Sequence, residues 1–152
     1  MLDLRPILYI IGILLTTLAV AMCAPMLADL IAGHPDWQVF AGSAGLTAFI
    51  GVTLLLTTMA PPARMSVRQA FVLTTASWVA MTFFAALPFA FADLDLNFTD
   101  AFFEAMSGLT TTGSTVITTL DTAPTGILLW RAILQWLGGI GIIVMSIAVL
   151  PM

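Results

Sequence analysis

Residues 108–116, GLTTTGSTV, lie between apolar runs long enough to cross a bilayer, yet they are poor material for a helix in lipid. Threonine is β-branched and glycine is flexible, and both are weak helix formers. They suit an irregular, extended backbone instead. Such a backbone survives at membrane depth only where protein surrounds it or where it lines a wet cavity, because unpaired polar groups are costly in lipid. The other segments must therefore be arranged to shelter this one.

The segment before it, 97–109, reads as a short helix. Asn97 is placed to cap it, and Asp100, three residues on, suits the positive end of a helix. At 1.5 Å per residue it covers about 18 Å, roughly half a hydrocarbon core, so it enters the membrane without crossing. Four full spans are expected around it, at 6–32, 37–59, 69–92 and 125–151. Pro25 and Pro88 are expected bends within two of them. The breakers Gly33, His34, Pro35 and Asp36 form a compact turn, and 60–69, with Pro61, Pro62, Arg64 and Arg68, reads as a loop. Gly42, Ser43, Ala44 and Gly45 offer a small-residue face for close packing of the second span.

Composition decides the solvent. Apolar residues make up 61% of the 152 and charged residues 8%, where a soluble domain carries about a quarter charged. The net charge of −4 argues against nucleic acid as a partner. Cys23 is alone, so no intrachain disulfide or cysteine metal cluster is expected. The first apolar run reads as a retained membrane helix and not as a cleaved leader, because bulky Met22 stands where a small residue is wanted. Arg5, Arg64 and Arg68 put the N-terminus and the 60–69 loop on the cytoplasmic side. The turn at His34 and the acidic connector with Asp93, Asp95 and Asp100 then face outward, and the short helix enters from outside.

That geometry points to a cation. The C-terminal end of the short helix carries partial negative charge toward the membrane middle. Gly113 can take φ > 0, which lets neighbouring carbonyls face one axis and replace the hydration shell of a dehydrated ion. Residues 110–115 therefore read as one segment of a selectivity filter, where the plainer reading is a polar turn between helices. Glu104 and Arg131 fit a supporting pair behind it; alternatively, Glu104 is an outward surface acid and Arg131 snorkels to the outer interface. Gly138, Gly139 and Gly141 fit close packing or a hinge in the last helix. His34 fits a solvated turn residue or a proton sensor. Two other classes stay open: a secondary transporter whose discontinuous helix binds a coupling cation, and an intramembrane hydrolase using Ser107 or Ser114 with His34.

FEAMSGLTTTGSTV at 103–116, followed by WRAILQWLGGIGIIVMSIAVLP at 130–151, resembles the first pore repeat of the Trk/Ktr family, the membrane subunits of bacterial potassium-uptake systems. The two preceding helices match its Trk branch. The resemblance implies an all-α integral membrane fold: an N-terminal two-helix hairpin (1–66), then one repeat (67–152) of outer helix 69–92, pore helix 97–109, filter 110–115 and inner helix 125–151. It implies no enzymatic reaction, and potassium as the transported ion. The backbone oxygens of Thr111, Thr112, Gly113 and Ser114 would bind it, with Thr111 and Thr112 as the principal ligands and Thr110, Glu104 and Arg131 in support. Family chains carry four repeats, so this sequence is expected to be the N-terminal part of a longer subunit. The implied partners are the bilayer, a second copy of the subunit and a cytoplasmic nucleotide-binding regulatory subunit of the RCK type, in a bacterial inner membrane.

Overall fold

The computed structural model describes residues 4–59, 66–118 and 120–149, leaving aside the side chains of 142 and 144–149. Arg64, expected in the 60–69 loop, lies outside the described residues. Helix α1 (Arg5–Ala32) starts with Pro6 in its first turn, where a missing N–H costs nothing, and continues through Pro25. Gly33, with φ 70°, closes it in the left-handed conformation, and its N–H donates to Leu30 O at 3.3 Å. Helix α2 (Trp37–Thr57) returns antiparallel against α1.

The close approach of α1 and α2 is not at Gly42 and Gly45, which are exposed and have open space around them. It is at Gly12 and Gly51, where a Cβ on Gly51 would stand 2.7 Å from Thr16 Oγ1. The reason is helical phase. Phe40, Ser43, Thr47 and Gly51 are the buried residues of α2, three or four apart, and Gly42 and Gly45 fall off that stripe.

Helix α3 (Val67–Ala85) begins two residues before the expected 69. Ser66 and Gln69 form a reciprocal capping box: Ser66 N–H donates to Gln69 Oε1 at 2.8 Å, and Gln69 N–H donates to Ser66 Oγ at 3.3 Å. The third span is also two helices where one bent helix was expected, because α4 (Leu87–Phe91) is a separate short element after a turn at Ala86. Pro88 has no N–H to continue the ladder, and its ring clashes with the carbonyl one turn back.

Helix α5 (Phe98–Leu109) is capped by Asn97, whose Oδ1 accepts from Asp100 N–H at 2.9 Å. After a 3₁₀ turn at Leu120–Thr122, helix α6 (Thr125–Val149) runs 25 residues, about 37 Å. By length and composition, Arg5–Ala32, Trp37–Thr57 and Val67–Phe91 can each cross a membrane. The 12 residues of α5 cannot.

Trp130 of α6 is fully buried at the centre of the assembly. Its Nε1–H donates to Ala85 O at 3.0 Å, and its ring meets Phe40 edge-on at 6.3 Å between centroids. One side chain thus joins α2, α3 and α6. This is the frame against which α5 is held.

Candidate functional site

Helix α5 ends by tightening. Thr110 N–H donates to Met106 O at 2.8 Å, Thr111 N–H to Gly108 O at 2.9 Å, and the N–H groups of Thr112 and Gly113 to Ser107 O at 3.0 and 3.3 Å. These bonds satisfy carbonyls that the helix end would otherwise leave orphaned. Thr111 (φ 57°) and Gly113 (φ 77°) are both left-handed. Thr111 therefore closes the helix and is not the extended residue that its sequence suggests. A β-branched residue in that region is strained, and strain of this sort concentrates at functional sites.

The chain then climbs back along α5, tied to it by side chains. Ser107 Oγ–H donates to Ser114 O at 2.6 Å. Glu104 Oε2 accepts from Thr115 Oγ1–H and Val116 N–H, each at 3.0 Å, and Thr115 Oγ1 accepts from Ile117 N–H at 3.0 Å. Glu104 Oε1 pairs with Arg131 Nε. The Glu104 side chain is completely buried, while that of Arg131 is 14% exposed. Glu104 is thus no surface acid: one carboxylate links α5, the return segment and α6. Ser107 and Glu104 are three residues apart on one helical face, which is why both reach that segment. Thr110 Oγ1–H donates to Met106 O at 2.8 Å and lies 2.9 Å from Thr112 Oγ1.

Helix α6 approaches α5 at glycines. A Cβ on Gly138 would overlap Leu109 O, and one on Gly108 would stand 3.1 Å from Leu134 Cβ. Gly138 is a packing position. Among the described residues nothing stands within 4 Å of a Cβ on Gly141. Residues 110–115 themselves are exposed, so nothing among the described residues covers their far side.

The elements brought together include a contact that inspection of the sequence missed. Asp29, near the end of α1, is fully buried and accepts from Gly126 N–H of α6 at 2.6 Å. The turn residues His34 and Asp36 lie just beyond it in the chain. Asp36 N–H donates to His34 Nδ1 at 3.4 Å, and His34 Nδ1 is 3.6 Å from Asp36 Oδ2. Burial pushes the Asp36 carboxyl up from its ordinary value; His34 opposes the shift, and the negative charges of Asp29 and Asp93 add to it. The Ser107 hydroxyl is engaged by Ser114 O and His34 Nδ1 by Asp36 N–H, and among the described residues no hydrogen bond joins His34 to Ser107 or Ser114, so the alternative hydrolase reading gains no support. Among the described residues no group of three histidine, cysteine or acidic side chains is placed to hold a metal.

Residues 37–152 match the TrkH family, described as cation transport protein. The chain is 41% identical to the Trk system potassium uptake protein TrkI of Halomonas elongata over 146 residues, covering 96% of this chain and 30% of that protein. It is 37% identical to TrkH of Escherichia coli K12 over 148 residues, covering 97% and 31% respectively. The crystal structure of the potassium transporter TrkH from Vibrio parahaemolyticus superposes with a TM-score of 0.93 at 37% identity, over 99% of this chain and 32% of that one. The chain thus spans about a third of the length of these relatives. All three are named as potassium uptake or transport proteins, not as enzymes.

Proposed function

The chain belongs to the TrkH family of cation transport proteins, and on that premise we propose that residues 110–116 form one wall of a potassium path, with the backbone oxygens of Thr111, Thr112 and Gly113 as ion ligands. The observation that carries this reading is the pair of left-handed residues, Thr111 and Gly113, with one residue between them. In a strand, successive carbonyls point to opposite sides. Reversing the hand of alternate residues turns them toward one side, where they can replace water around a cation. The carbonyl end of α5 adds its partial negative charge at the same place. Ser114 is the weakest of the four expected ligands, since its carbonyl already accepts from Ser107.

In this reading Glu104 and Arg131 bind no ion; they hold the return segment at a fixed distance from α5. Residues 1–66 serve as a supporting hairpin and 67–152 as one pore repeat, with further repeats closing the exposed side of 110–115. The protein is a multi-pass membrane protein. Placing it in a bacterial inner membrane, with its N-terminus and Arg68 cytoplasmic, belongs to the proposal, as do the homodimer and the RCK-type regulatory subunit.

Single cysteines in a transport-competent subunit carrying this sequence, with Cys23 removed, test orientation and path together. A charged thiol reagent added outside should label positions 95 and 115 and leave 68 untouched. Labelling at 115 should block potassium uptake, and high external potassium should slow that block. External labelling at 68, or a block at 115 that is indifferent to potassium, would remove the proposal.

A further inference from the structure

We propose that Asp29, which lies outside the pore repeat, is a positioning residue for the filter: it sets the outer end of α6 and, through it, the Arg131–Glu104 brace. The inference rests on reading 110–116 as the ion path.

The outer end of α6 leaves N–H groups without intrahelical partners, as every helix start does. The usual solution is a capping side chain from the preceding residue. Here the acceptor comes from 97 positions earlier in the chain, as Asp29 Oδ1 bonded to Gly126 N–H. The fit is close enough that a side chain at 126 would collide with the Asp29 carboxylate and force it to move. Asp29 is itself fixed. It is completely buried, and its own carbonyl accepts from His34 N–H at 2.9 Å in the turn that ends α1. Its other oxygen, Oδ2, has no hydrogen-bond partner among the described residues. A buried carboxylate held in this way is expensive, and the positive end of a helix is what compensates it.

From Gly126 the consequences run down α6 at helical spacing. Trp130, four residues on, is pinned to Ala85, and Arg131 beside it reaches Glu104. Leu134 and Gly138, each a further four residues along, receive Gly108 and Leu109 of α5. A rise or rotation of α6 at residue 126 therefore moves Arg131 against Glu104, and Glu104 carries Thr115 and Val116 with it. The N-terminal hairpin is on this view part of the machinery that sets filter width, and not an accessory.

The test uses a transport-competent subunit carrying this sequence, and compares apparent KM for potassium, Vmax per molecule in the membrane, and potassium-over-sodium preference. Asp29→Ala should raise KM about tenfold and lower the preference, with Vmax changed by no more than about twofold. Gly126→Ala, which drives a methyl group into the same carboxylate, should reproduce this, and the double variant should be no worse than the worse single. Asp29→Asn keeps an acceptor oxygen and should stay within about threefold of the parent. Ile31→Ala, on an exposed residue of the same helix, should change nothing. Gly113→Ser is run alongside. If it shifts the preference while Asp29→Ala and Gly126→Ala leave KM and preference unchanged, the role of Asp29 is overturned and the filter reading stands. If Gly113→Ser also changes nothing, the filter reading itself fails. A fall in Vmax alone, tracking the amount of protein in the membrane, would likewise overturn the proposal by making Asp29 a folding residue only.

Discussion

Gly113→Ser is expected to reduce potassium-over-sodium preference by about tenfold or more, while Ser114→Ala stays within about threefold of the parent. Gly113 has φ 77°, a conformation that costs an L-residue about 1–2 kcal/mol. Among the described residues space does not forbid a side chain, since a Cβ there meets only Gln135 Nε2 at 3.8 Å. The penalty is conformational. Serine can relieve it by rotating the peptide, and rotation swings the carbonyls of Thr112 and Gly113 away from the ion. Ser114 contributes differently, because its carbonyl is held by Ser107 and Ser114→Ala leaves that bond in place. Tracer uptake of potassium and sodium by the two variants separates the cases. Equal preference in both would show that backbone handedness at 113 does not set selectivity.

Arg131→Met should be the most damaging single change among the residues described. It leaves the Glu104 carboxylate buried with no counter-charge, a situation that costs about 3–5 kcal/mol. Much of that should appear as lost thermal stability in detergent and the rest as lost transport. Glu104→Gln should be milder. The amide can still accept from Val116 N–H, and the orphaned guanidinium, 14% exposed, can reach water. The double variant Glu104→Gln with Arg131→Met should therefore be more stable than Arg131→Met alone, a coupling that a double-mutant cycle reads directly. Additive losses would mean that the pair does not act as a unit.

How much of this was legible beforehand varies with the range of the interaction that decides each feature. The half-length helix was legible because its signals are local: Asn97 and Asp100 at the start, and a run of threonines at the end. Gly113 was legible because glycine advertises a left-handed residue. Thr111 was not. Threonine argues for extended backbone, and only the bonds closing α5 hold it at φ 57°. Of the small-residue cluster 42–45 expected to pack, Ser43 lies on the buried stripe of α2 with Thr47 and Gly51, while Gly42 and Gly45 fall off it because of helical phase. The start of α3 was readable in principle, since Ser66 and Gln69 have capping-box spacing. Asp29 with Gly126 had no local signal, since the pairing spans 97 positions and an acid near the end of an apolar run usually means only the end of the run.

The most direct measurement is the position of a heavy potassium substitute in a structure of the assembled transporter, located by the anomalous signal of thallium or rubidium. Density centred against the backbone oxygens of Thr111, Thr112 and Gly113, on the exposed side of 110–115 and away from the Glu104–Arg131 pair, is the expected result. Density confined to side-chain oxygens of the acidic connector around Asp93 and Asp95, with none beside 111–113, would contradict it.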